Sequence, residues 1–133
     1  MKVIIAGGRD FKNYDKLKRE CDSIFKNLQL VNPIIVCGLA KGADLLGKQF
    51  AEENGYEVIE CPANWELYGK SAGYKRNSEM AECADFLIAF YDGKSKGTGH
   101  MIQIMKDLEK IIFLVPYSIE DTIEWFYSCS GVV

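Results

Sequence analysis

Hydrophobic positions along the chain fall into two alternating kinds of run. Short, nearly continuous apolar stretches at residues 2–6, 34–37, 56–61, 85–91 and 111–115 read as strands covered on both faces. Longer stretches between them carry apolar residues at helical spacing. Residues 14–28 set Leu17, Cys21, Ile24, Phe25 and Leu28 on one face, with Asn13 placed to cap. Residues 43–54 set Leu46, Phe50 and Ala51 toward a sheet, and Asn54-Gly55 supplies a stop. Further helices are predicted at 74–83, 98–108 and 119–127, the last opened by Ser118 and Asp121 as a capping pair. The irregular stretch 62–73 is the longest, and the tail 130–133 is expected to fray.

This β-α alternation predicts one α/β domain over residues 1–133. It is a Rossmann-like, mostly parallel sheet of about five strands with helices on both faces. In such sheets, ligands bind beyond the C-terminal strand ends.

Three strands run into a glycine-containing turn that opens a helix. The first turn is Gly7-Gly8-Arg9-Asp10 and the second is Gly38-Leu39-Ala40-Lys41-Gly42-Ala43-Asp44. The third runs from Asp92-Gly93 through Gly97-Thr98-Gly99 to His100. Glycine admits close backbone approach, and free N–H groups at a helix start face an anion, so the set suggests a phosphorylated small molecule. Neither a dinucleotide fingerprint nor a Walker lysine motif is present.

Each turn has a functional and a plainer reading. Arg9 clamps an anion or pairs with Asp10. Gly38, Lys41, Gly42 and Ala43 shape an approach to the second helix start, where Asp44 caps the helix or holds a ribose hydroxyl. Arg76 and Asn77, near the start of the third helix, suit a phosphate or carboxylate. Gly93, Gly97 and Thr98 present N–H groups and a hydroxyl to phosphate. His100 is an acid–base candidate or a packing residue. Trp65 and Tyr68 stack on a nucleobase or pin their loop to the core.

Composition narrows the partners. A net charge of −3 and a pI near 5.2 argue against broad nucleic-acid binding. Five cysteines without a C-x-x-C pair, and one histidine, predict no metal site and suit a reducing cytoplasm. No apolar run approaches the ~20 residues of a membrane span, and the first residues lack a signal-peptide pattern. The expectation is a cytoplasmic protein without cofactor, and homo-oligomerisation is left open.

The segments IIAGGRDF, CGLAKGADLLGKQFAEE, CPANWELYGKSAGYKRNSEM and DGKSKGTGHMI together resemble the SLOG superfamily, with the nearest likeness in its YspA-like, YpsA-related branch. The resemblance covers residues 3–116 and implies binding of nucleotides or nucleotide-derived signals. More distantly, the chain is similar to the DprA/Smf proteins and the Lonely Guy phosphoribohydrolases. The latter likeness implies phosphate contacts from Arg76, Gly97 and Thr98. Lys94 and Ser95 stand where that phosphate loop has glycines, and Met101, beside His100, stands where those enzymes carry a glutamate. Glu79 is the candidate replacement carboxylate, so Arg76, Glu79 and His100 form the catalytic shortlist.

The expected function is therefore binding of a nucleotide or nucleotide-derived ligand for sensing, sequestration or processing. Hydrolysis of a nucleotide N-glycosidic bond and single-stranded DNA binding are the alternatives.

Overall fold

The structure, a computed structural model, describes residues 1–123. It runs β1 (Lys2–Gly7), α1 (Tyr14–Asn27), β2 (Ile34–Cys37), α2 (Ala43–Glu53), β3 (Val58–Glu60), α3 (Trp65–Tyr68), α4 (Ala72–Cys83), β4 (Phe86–Tyr91), α5 (Lys96–Asp107) and β5 (Ile111–Pro116). All five strands are parallel in the order β3-β2-β1-β4-β5, a Rossmann-like α/β fold as the pattern predicts.

β1 and β4 are the most continuously apolar strands and occupy the centre, paired Ile4 to Leu87 and Ile5 to Ile88. Strand alternation then splits the core in two. Val3 and Ile5 pack with Leu17, Cys21 and Phe25 of α1 and Phe50 and Ala51 of α2. Ile4 and Ala6 pack on the other face with Met80 and Ala81 of α4 and Met101, Ile102 and Met105 of α5. Helices therefore cover both faces. Connections leave β1 toward β2 and leave β4 toward β5, so neighbouring strands diverge there. That switch point opens a crevice at the C-terminal strand ends.

Several boundaries differ from the pattern. The stretch 62–73 holds α3, capped by Asn64 accepting from the Leu67 N–H, and a 3₁₀ turn at Gly69–Ser71. α4 starts at Ala72, whose side chain is already buried. α5 starts at Lys96 because Ser95, not a later residue, is its cap. The Ser118–Asp121 capping box forms, but it opens only the 3₁₀ turn Ile119–Thr122, after which Ile123 is extended. The remainder of that predicted helix, the tail and Cys129 lie outside the described residues.

Candidate functional site

The crevice between β1 and β4 holds a cleft of about 420 Å³, within the size range of small-molecule sites. Residues of the first and third turns, the turn before α2, and the inner faces of α4 and α5 line it.

The first turn is held rigidly from behind. Phe11 is fully buried between Phe90 and Tyr117, with ring centroids 4.9 and 5.1 Å away. The Gly8 N–H donates to the Phe90 carbonyl at 3.1 Å, and Tyr117 donates its hydroxyl to Asp10. Asp10 is thus occupied by Tyr117 rather than by Arg9. Gly7, Gly8, Arg9 and Asp10 all line the cleft. Arg9 has no carboxylate within 4 Å among the described residues.

The second turn behaves differently from its reading in the sequence. Gly42 has φ of 82°, and a Cβ there would lie 2.3 Å from the Gly8 carbonyl oxygen. Ala43 is fully buried and donates its N–H to that same carbonyl at 3.2 Å. These two residues join the first turn to α2 and lie outside the cleft lining, because the protein's own backbone fills the space a ligand would need. Lys41 is exposed and also outside the lining.

Asp44 is not the cap of α2, since the N-cap is Gly42. Its carboxylate turns back to accept the Ala40 N–H at 3.3 Å, is 6% exposed and lines the cleft. Burial pushes this carboxyl up to about 6, against the lowering pull of the Ala40 N–H, Arg76, the Gly7 N–H and Arg9.

From α4, Arg76, Asn77 and Met80 face the cleft. Arg76 donates to the Gly38 carbonyl and, through Nε, to the Asn77 Oδ1 at 3.0 Å. Asn77 is buried and donates Nδ2 to the Gly97 carbonyl at 3.2 Å, which ties α4 to the start of α5. Gly38 itself sits at a side lobe of the cleft with Trp65 and Arg76.

In the third turn, Asp92 Oδ1 accepts the Lys94 and Ser95 N–H groups at 2.8 and 2.9 Å, and these bonds hold its carboxyl below the usual range. Ser95 Oγ accepts the Thr98 N–H at 3.4 Å. The N–H groups of Lys96 and Gly97 take no protein acceptor among the described residues, and both residues line the cleft with Ser95 and the buried Thr98. Gly93, with φ of 85°, makes the turn and stays outside the lining.

Two of the three catalytic candidates lie outside the lining, although the His100 Nδ1 is 3.4 Å from the Asn77 Nδ2. Glu79 is exposed and 3.8 Å from Lys75. His100 packs edge-on against Tyr74, with centroids 4.4 Å apart, and burial lowers its pKa, which favours the neutral ring. Residues that sequence reading passed over are Asp92, Ser95, Lys96, Met80 and Met101 in the lining, and Phe11 and Tyr117 behind it. Asp92 carried a local signal, an aspartate two residues ahead of two backbone donors in a glycine turn. Tyr117 carried none, because its partner is 107 residues away.

The comparisons with known proteins agree with this architecture. The model of the YspA, cpYpsA-related SLOG family matches residues 1–68, which hold the first two turns. The Gene 61 protein of Mycobacterium phage D29 is 34% identical over 112 residues, spanning 77% of this chain and 86% of the phage protein. Among solved structures, DNA processing protein A (DprA) of Streptococcus pneumoniae superposes with a TM-score of 0.61 at 18% identity. That match covers 99% of this chain, which spans 56% of the DprA chain. The structural-genomics target TM1055 superposes with a TM-score of 0.61 at 21% identity, over 99% of this chain and 81% of its own. Both likenesses are of fold. By its family-model match and its phage relative, the chain belongs to the YspA, cpYpsA-related SLOG family.

Proposed function

We propose that the chain binds a nucleotide or nucleotide-derived phosphorylated ligand in this cleft, for sensing, sequestration or processing. One observation carries the reading. The 12-residue α5 begins with two N–H groups that no protein atom accepts among the described residues, in a cleft also lined by Arg9 and Arg76. A helix start with open donors favours phosphate, and guanidinium groups add charge-assisted bonds. Membership of the SLOG family supports a nucleotide-related ligand.

A thermal-shift series tests it. Nucleoside mono- and diphosphates should raise Tm while the matching nucleosides do not, and Arg76→Ala should reduce the shift. No shift with any phosphorylated compound would end this reading.

A second reading, hydrolysis of a nucleotide N-glycosidic bond, draws on Asp44. It is a buried carboxyl in the cleft, with a pKa raised into the range useful for proton transfer. Release of free base from a nucleoside monophosphate, lost in Asp44→Asn while binding persists, would establish it. Binding without release leaves the first reading alone. Against single-stranded DNA, Arg9, Arg76 and Lys96 share the cleft with Asp10, Asp44 and Asp92, so the lining carries no net positive charge.

A further inference from the structure

The main cleft continues into a lobe of about 220 Å³ beneath α3, and the two share Arg9, Arg76, Asn77 and Gly97. Trp65, Lys70, Gly73 and Tyr74 complete the lobe. Trp65 is 54% exposed and Tyr74 47%, so neither ring is spent on the core. Burial of these rings would be favourable, and their exposure beside a polar cleft is what a stacking site requires.

The lobe's walls are preset by contacts behind it. The Tyr74 ring is braced edge-on by His100. The Trp65 ring lies over Gly73, where an added Cβ would meet its Cη2 at 3.5 Å. Tyr68, the other aromatic of α3, is taken by Lys75, whose Nζ is 4.8 Å from its centroid. Trp65 and Tyr74 are therefore the aromatic faces left for a ligand in this lobe, with Lys70 as a further donor.

We infer that the lobe between Trp65 and Tyr74 is a stacking subsite for a planar heteroaromatic ring, the base end of a ligand whose phosphate lies at the start of α5. This rests on the nucleotide reading above and adds an orientation to it: the sugar passes between Arg9 and Arg76, and the base points toward α3. A second lobe of about 210 Å³, lined by Leu39, Pro62 and Ala63, also borders Trp65. It offers a single aromatic ring, whereas the Tyr74 side offers two.

Calorimetric titration of the full chain with adenosine 5′-monophosphate, guanosine 5′-monophosphate and ribose 5-phosphate tests the assignment. Trp65→Ala should weaken at least one nucleotide about tenfold or more, Trp65→Phe should restore most of it, and ribose 5-phosphate should be unaffected. Tyr74→Leu should weaken the same nucleotide several-fold. An equal loss for nucleotide and ribose 5-phosphate in Trp65→Ala would overturn the subsite, as would unchanged nucleotide binding. A loss in Trp65→Ala without one in Tyr74→Leu moves the ring to the Leu39 side and overturns the placement. If ribose 5-phosphate binds wild type and nucleotides do not, the subsite fails while the phosphate site stands. If none of the three binds, both fail.

Discussion

The starts of α2 and α5 carry the same glycine-rich signature and differ at their first N–H group. At α2, the Ala43 N–H is closed by the Gly8 carbonyl, and Gly42 is required because the backbone of the first turn leaves no room for a Cβ. At α5, the first two N–H groups take no acceptor among the described residues, and a Cβ on Gly97 would meet nothing within 4 Å. Glycine at α2 thus serves the protein's own packing. Glycine at α5 leaves space at the cleft, which is where a ligand's phosphate would come closest. A glycine turn before a helix is accordingly a phosphate site only if no other part of the chain reaches its donors first.

The largest effect should come from Gly42→Ala. A left-handed φ of 82° and the approach to Gly8 should together cost about 3–5 kcal/mol, read by urea unfolding. A loss below about 1 kcal/mol would erase the difference between the two turns.

Next in size is Asp44→Asn. The carboxyl has a folded pKa of about 6 against a reference of 3.8, so the native state holds its proton more tightly. Its contribution to stability is full below pH 3.8 and is lost as pH rises through about 6. The amide does not titrate. The variant should therefore gain on wild type across that window, by on the order of 2–3 kcal/mol between pH 4 and pH 8. Parallel unfolding curves at pH 4 and pH 8 check this, and a gap that does not widen with pH refutes it.

Arg76→Ala should weaken phosphate-bearing ligands about tenfold, roughly 1.4 kcal/mol, by calorimetry. The smallest effect separates the two turns most cleanly. Gly97→Ala should stabilise the fold by roughly 0.5–1 kcal/mol, since Ala is the better helix former and the site is open. It should also weaken ligand binding, because the new methyl group stands at the proposed phosphate site. Stabilisation with unchanged affinity would place the phosphate elsewhere.

Much of the architecture was legible because it is local. Continuous apolar runs gave five parallel strands in the right places, and Asn13 and the Ser118–Asp121 pair act as caps where the pattern put them. The two-helix cover of each face follows from strand alternation. The short α3 was hidden, since a four-residue helix shows no periodicity, and the start of α5 shifted by two residues because Ser95 competes as the cap. Within the candidate site, the first turn, Arg76, Asn77, Gly97 and Thr98 were legible as turn and helix-start chemistry, and all of them line the cleft. Lys41, Gly42, Ala43, Gly93, Glu79 and His100 were also candidates from the sequence and do not.

The sequence by itself determined that three glycine turns would share one edge of a parallel sheet, because apolar runs and turn residues act over a few neighbouring positions. Only the tertiary structure decided which helix start has its first N–H group closed, which carboxylate is buried and which aromatic rings are exposed. Those outcomes depend on contacts such as Gly8 with Ala43, Asp10 with Tyr117 and Arg76 with Gly38. Each joins segments far apart in the chain, and each removes or frees a donor, an acceptor or a surface that local pattern cannot count.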